Sequence, residues 1–247
     1  MTKYTIAIPA RMASSRLPGK MLRLLGGKPV IQHVIERVKQ VRNCNEICVT
    51  TDSIDIVNLA ENLGVKGFLT SPECRSGTER IVSVLDKMQG DWIFNIQGDE
   101  PFVEPDLIEA LIEKTQSIDA PILTPVYALK TIEDVNNPNI VKVVLDNKNY
   151  ALYFSRSPIP YARDVDAANW LNKSKYWGHL GIYGYRREIL ENYKNLGSSY
   201  LETTESLEQL KFLSNGFKIA THEANGRSVA IDTLEDLMKA EEILKKM

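Results

Sequence analysis

Three cations fall within ten residues in the segment Pro9-Ala10-Arg11-Met12-Ala13-Ser14-Ser15-Arg16-Leu17-Pro18-Gly19-Lys20. No Asp or Glu precedes Glu36, so this stretch is locally cationic in a chain whose formal net charge is −2. It follows Tyr4–Pro9, an apolar run that reads as a buried strand. Ligands of parallel sheets bind beyond the carboxyl ends of the strands. Arg11, Arg16 and Lys20 so placed suit a polyphosphate, whose charge during transfer they can neutralise. Gly19 lets the backbone approach such a ligand closely. A merely solvated basic loop is the competing reading, and three cations at a strand end make it the weaker one. Two familiar phosphate motifs fail. The Walker pattern needs Gly at Ser14 and Ser or Thr at Met21, and no GxGxxG is present.

Two acids complete a candidate site. The apolar run Asp91–Ile96 leads into Gln97-Gly98-Asp99-Glu100-Pro101, which sets a carboxylate at a strand end. Ser228–Ile231, also apolar in leaning, leads into Asp232-Thr233 before the last helix. Magnesium takes one or two protein carboxylates and completes its octahedron with phosphate and water. Asp99 and Asp232 suit that role if the fold brings them together. Taken singly, Asp232 reads equally well as a helix N-cap and Asp99 as a turn residue.

The elements that must position these groups alternate from the start. Strands are expected at Tyr4–Pro9, Glu46–Thr51, Lys66–Thr70 and Asp91–Ile96. Helices are expected at Pro29–Val41, from a Ser53 cap through Leu63 with Gly64 as the stop, and over Thr78–Met88. This order predicts an α/β fold with a mostly parallel central sheet and helices on both faces. Beyond about Ala120 the pattern changes to strands at Ile122–Leu129, Val141–Leu145, Tyr150–Phe154 and His179–Tyr185. Helices at Arg187–Tyr193 and Thr204–Ser214, a strand at Phe217–Thr221 and a helix at Leu234–Lys246 close the chain. One domain over 1–247 is expected, with a mixed-sheet extension near 122–186. The 247 residues, 43% of them hydrophobic, are enough for a sizeable core. The charge balance favours neither nucleic acid nor membrane, and no apolar run approaches the roughly 20 residues that span a bilayer. With no signal-like N-terminus, the expected location is the cytoplasm. Cys44 and Cys48 read as buried free thiols, and His33 and His222 as structural residues.

The quoted segments resemble the CMP-Kdo synthetase family, where Kdo is 3-deoxy-manno-octulosonate. The similarity runs in order through IPARMASSRLPGK, Ser76-Gly77-Thr78-Glu79-Arg80, NIQGDEP, the Tyr153–Pro160 segment YFSRSPIP, His179-Leu180-Gly181-Ile182-Tyr183, the Glu205–Leu210 segment ESLEQL, and Ile231-Asp232-Thr233. The resemblance implies a nucleotide-diphospho-sugar transferase-like fold and transfer of CMP from CTP to the anomeric hydroxyl of Kdo, with loss of pyrophosphate. It implies that Arg11 and Lys20 hold the CTP phosphates with Pro9, Ala10 and Arg16 beside them. Ser76, Gly77 and Arg80 would lie near the cytosine and ribose, and Gln97 at the sugar–nucleotide junction. Asp99 and Asp232 would bind Mg2+, and together with Arg11 and Lys20 form the catalytic set. Arg156, His179, Tyr183, Glu208 and Gln209 would face the keto-sugar, with Arg156 or His179 serving its carboxylate. A homodimer paired through the sheet extension and a product used for lipopolysaccharide or capsule synthesis also follow from the resemblance.

One departure is visible. Members of the family commonly carry an Asp-His pair shortly before Ser-Gly-Thr, where this chain has Glu73 and Cys74, followed by Arg75. It bears on the sugar more than on the reaction, so 8-amino-Kdo or another ulosonic acid stays open. Two further readings compete: transfer to a phosphorylated alcohol, and a non-catalytic CTP-binding protein. On residue pattern alone, Glu208 and Gln209 are exposed positions of an amphipathic helix, and Tyr183 and Phe154 are core aromatics.

Overall fold

The computed structural model describes residues 2–14 and 16–246; Ser15 of the basic loop lies outside the described residues. The chain forms two compact units, one of Met1–Glu113, Gly184–Glu191 and Ser228–Met247, the other of Lys114–Tyr183 and Asn192–Arg227.

In the first unit, Tyr4–Ala10 lies between Glu46–Thr51 and Trp92–Asn95, and pairs with both in parallel. Lys66–Leu69 extends the sheet beside Glu46–Thr51, again parallel. The 184–186 stretch of a further strand flanks Trp92–Asn95. Every residue of Tyr4–Ala10 is buried, which is why YTIAIPA reads as an unbroken run rather than an alternating one. Helix Val30–Val38 buries Val30, Ile31, Val34, Ile35 and Val38, one face at helical spacing. A separate apolar cluster joins Leu17, Leu25, Val30, Ile231, Leu237 and Ala240, with Phe102 and Leu244 packed on it. It fastens the basic loop, the approach to Asp232 and the last helix, Leu234–Lys246, to one another. The α/β class expected from the sequence is the class the chain adopts.

In the second unit, Ile122–Ala128 pairs in parallel with Ile219–Glu223 and antiparallel with Trp177–His179. Trp177–His179 is antiparallel to Lys142–Leu145, which is antiparallel to Ala151–Ser155. A turn at Asn147-Lys148-Asn149 connects the last two, with Asn149 at φ 62°. None of the described helices is long and apolar enough to cross a membrane.

Several elements differ from expectation. The expected strand His179–Tyr185 is two strands, Trp177–His179 and Tyr183–Arg186. Between them the carbonyls of Leu180 and Ile182 share the buried side-chain hydroxyl of Thr124 as donor. The expected helix Thr204–Ser214 is two, Tyr200–Glu205 and Gln209–Ser214, parted at Ser206, whose left-handed φ of 52° ends the first. Thr78–Met88 shortens to the helix Gly77–Val82 and a 3-10 turn at Leu85–Lys87. Helices Pro105–Lys114 and Ile132–Asn136 were not expected. Ser53 holds the N-cap position of Ile54–Asn62, but its side chain makes no capping bond. Gly64 does stop that helix, at φ 74°. Ser228–Ile231 is irregular and forms no strand. Cys48 is buried, whereas Cys44 is only half-buried.

Candidate active site

Pro9, Ala10, Arg11, Lys20, Ser76, Gly77, Arg80, Gln97, Asp99 and Asp232 line one cleft of about 200 Å³ in the first unit, beside Met21, Cys74 and Arg75. Lys20 opens a 3-10 turn, Lys20–Leu22, after a loop that closes on itself where Gly19 N donates to Met12 O at 3.2 Å. Gly19 adopts φ 66°, a conformation glycine takes without strain. The turn delivers the buried Lys20 ammonium to both acids: it donates to Asp99 and, at 2.9 Å, to Asp232 Oδ1. Arg16 pairs with the other oxygen of Asp232 at 3.0 Å. Burial pulls the Lys20 ammonium down, but the two carboxylates outweigh it and hold the group above its ordinary value. It therefore stays charged throughout the physiological range.

The remote acids meet because of the chain around them. Ile231 is fully buried in the apolar cluster, and its N–H donates to the carbonyl of Asp99 at 2.9 Å. Asp232 is released from capping duty by its neighbours. Thr233 N donates to Asp236 Oδ2 at 2.9 Å, and Asp236 N donates to Thr233 Oγ1 at 3.1 Å, a reciprocal cap at the start of the last helix. The N-cap reading of Asp232 fails on this geometry. Across the cleft, Ser76 accepts from Glu79 N to begin helix Gly77–Val82. Gly77 keeps that approach open, since a Cβ would stand 3.0 Å from Pro9 Cγ, a tight contact. Gln97 donates to Asn95 at 2.9 Å and Asn95 to Thr78 at 3.3 Å, a relay that orients the Gln97 amide.

Arg156, His179, Tyr183, Glu208 and Gln209 belong to the second unit. His179 packs edge-on against Phe154, with ring centroids 5.1 Å apart, and lies 5.3 Å from the Tyr183 ring. Its Nε2 meets Thr124 Oγ1 at 3.0 Å. Burial pushes its pKa down to about 3, so it is a neutral ring at physiological pH and offers a hydrogen bond, not a countercharge. Burial, and then the Glu208 carboxylate, push the Tyr183 phenol far up. Gln209 is 4% exposed and its Nε2 has no partner among the described residues. The break at Ser206 is what turns Gln209 inward, against the exposed placement that a continuous helix predicts. Arg156 is anchored by backbone carbonyls: Nε donates to Glu205 at 2.8 Å, and the guanidinium to Pro138 at 3.0 Å and Ser206 at 3.4 Å.

The profile of the family described as Cytidylyltransferase matches residues 5–219. A 3-deoxy-manno-octulosonate cytidylyltransferase of Chloroherpeton thalassium is 41% identical over 248 residues, 99% of this chain and 98% of its own length. One of Escherichia coli is 41% identical over 245 residues, 99% and 97% of the two chains. This chain belongs to the 3-deoxy-manno-octulosonate cytidylyltransferase family. A solved CMP:2-keto-3-deoxy-manno-octonic acid synthetase, complexed with CTP, superposes at a TM-score of 0.92 with 40% identity over 99% of each chain. A glucose-1-phosphate thymidylyltransferase from Bacillus anthracis shares the fold at a TM-score of 0.71 and 17% identity.

In this family member three residues near the cleft escaped sequence reasoning. Asp52 Oδ1 accepts from Met12 N at 2.9 Å and its Oδ2 pairs with Arg80 at 3.4 Å, which ties the basic loop to the Arg80 helix. Its signal was its place at the end of Glu46–Thr51, the same position that drew attention to Asp99. Glu100 is buried behind Asp99, and Arg75 lies on the lip of the cleft.

Proposed function

We propose that this chain transfers CMP from CTP to the anomeric hydroxyl of 3-deoxy-manno-octulosonate, giving CMP-Kdo and pyrophosphate for lipopolysaccharide or capsule synthesis. The observation that carries the reading is the meeting of Lys20, Asp99 and Asp232 in a cleft that Arg11 and Arg80 also line. The anomeric oxygen forms a bond to the α-phosphorus, and the bond from that phosphorus to the bridging oxygen breaks. Pyrophosphate leaves with the electron pair, and the hydroxyl proton passes to solvent. Arg11 and Lys20 hold the phosphates in line and stabilise charge on the leaving group. Pro9, Ala10, Ser76, Gly77 and Arg80 form the wall for base and ribose, Arg16 flanks the acids, and Gln97 presents its oriented amide to the junction.

The donor set suits magnesium. One cation, the Lys20 ammonium, already reaches both Asp99 and Asp232. Among the described residues no three His, Cys, Asp or Glu side chains gather as a metal group, which fits an ion that leaves most of its shell to phosphate and water. Asp99 and Asp232 would hold it, and when bound it supplies charge neutralisation on the phosphoryl oxygens. For the sugar, the Gln209 Nε2, without a partner among the described residues, and the neutral His179 ring support recognition by hydrogen bonds, with Tyr183, Glu208 and Arg156 around them. The reading extends to a cytoplasmic homodimer; Leu152 and Tyr200, 61% and 79% exposed, are candidates for the subunit contact.

Pyrophosphate release with CTP, magnesium and a panel of ulosonic acids tests the reaction and its acceptor together. Kdo is expected to turn over fastest. Faster turnover of 8-amino-Kdo would reassign the sugar, and none with any acceptor would leave a CTP-binding protein. Asp99→Asn is expected to abolish turnover in a chain that still folds, and retained turnover would remove Asp99 from the metal role.

A further inference from the structure

The cations of the cleft divide into those with acidic partners and those without. Lys20 is shared by Asp99 and Asp232, Arg16 is on Asp232, and Arg80 is on Asp52. Arg11 and Arg75 line the same cleft, and neither forms an ion pair with another described residue. An incoming triphosphate meets net positive charge mainly at these two. A cation already shared between two carboxylates has little field left for a third anion.

Arg75 is also held in place by its backbone. Its N–H donates to Glu79 Oε2 at 2.6 Å, while Glu79 N donates to Ser76 Oγ at 3.1 Å. This reciprocal cap fixes the Arg75 Cα beside Ser76 and Gly77, two wall residues of the cleft. The guanidinium is left exposed at the lip. A long, exposed arginine with no acidic partner contributes little to folding, yet at this lip it is within the field of whatever the cleft holds.

Building on the cytidylyltransfer reading, we propose that Arg75 is a further phosphate-binding cation beside Arg11 and Lys20, which meets the polyphosphate of the nucleotide at the lip of the cleft and favours a triphosphate over a monophosphate or a nucleoside. A guanidinium presents a planar fork that matches two phosphate oxygens, and such charge-assisted bonds are about twice as strong as neutral ones.

The test is titration of the whole protein, wild type and Arg75→Gln, with CTP, CMP and cytidine at two salt concentrations. Glutamine keeps the backbone cap and removes the charge. The expected result is a CTP Kd raised roughly tenfold in Arg75→Gln, with a shallower salt dependence and cytidine binding unchanged. Arg75→Lys should recover part of the loss, since it restores charge but not the fork. Unchanged CTP binding in Arg75→Gln would overturn the proposal. Equal weakening of CTP and cytidine would overturn it too, because it would mean a disturbed wall rather than a lost phosphate contact. A wild-type chain that binds no CTP would instead overturn the cytidylyltransfer reading, and this proposal with it.

Discussion

Glu100 offers the sharpest quantitative test of the charge balance beside Asp99. Its side chain is buried, 6% exposed, and Oε2 has no hydrogen-bond partner among the described residues. Burial, and then repulsion from Asp99, push its pKa up to about 7 from an ordinary 4.5. Ser228 lies near enough to soften the charge, but its own hydroxyl is also buried without a partner among the described residues, so no ordinary hydrogen bond joins the two. At about 1.4 kcal/mol for each tenfold in proton affinity, the ionised carboxylate costs the folded state roughly 3 kcal/mol. The sign follows from proton uptake. Above pH 7 Glu100 is ionised folded and unfolded, and the whole penalty applies. As pH falls from 7 to 4.5, the folded chain takes up the proton first and gains stability relative to the unfolded one. Below 4.5 both states are protonated and the penalty is gone. Glu100→Gln has no charge to bury, and its amide can donate to Ser228. In urea unfolding with a chelator present, the variant should be more stable than wild type by about 1–3 kcal/mol at pH 8, with the gap closing by pH 5. The difference between the two proteins removes other titrating groups from the comparison. A gap that is constant with pH, or a variant less stable at pH 8, would refute the account of a buried, strained carboxylate.

Two other perturbations follow from the same geometry. Lys20→Ala should raise the CTP concentration needed for half-maximal pyrophosphate release by more than about tenfold, since it removes a buried charge-assisted donor; an unchanged CTP dependence would contradict the phosphate role. In the second unit, the buried Lys142 ammonium donates to the carbonyls of Asn137, Ile140 and Arg156 at 2.6–2.8 Å. Lys142→Met fills the space but orphans those carbonyls, and should cost about 3 kcal/mol in urea unfolding at pH 7, whereas a loss below about 1 kcal/mol would mean that the three bonds contribute little.

How far the site was legible depended on whether each residue is placed by its own segment or by another. Arg11 and Asp99 stand just beyond the ends of buried strands, with Lys20 in the loop that follows the first, and an apolar run meeting charge is visible in one dimension. Asp232 has no such strand before it. Its place is set by Ile231, which is pulled into a cluster with Leu17 and Leu25 and bonded to the backbone of Asp99, and no local pattern encodes that partner. Gln209 shows the opposite failure. The ESLEQL run carries helical spacing, and only the left-handed turn at Ser206 reverses which residues face inward. Serine is not a residue that announces such a turn. Asp52 went unread because it acts through a backbone N–H on another loop.

The ion pairs of the cleft also balance its two acids against each other. Asp99 and Asp232 repel each other, and their side chains are only 19% and 38% exposed, so water screens the repulsion incompletely. Lys20, itself 6% exposed, sits between them and cancels it. On the proposed reading, the ammonium that balances the two acids also serves the phosphates. The same reading calls for a second cation on the acids as the nucleotide arrives. On that account nucleotide affinity and magnesium affinity must rise together, by reciprocal linkage. Lys20→Ala should loosen that coupling, because the acids would then need the metal whether or not nucleotide is present. Calorimetric titration of magnesium with and without CTP measures the coupling directly, and an equal coupling in wild type and variant would show that Lys20 does not mediate the exchange.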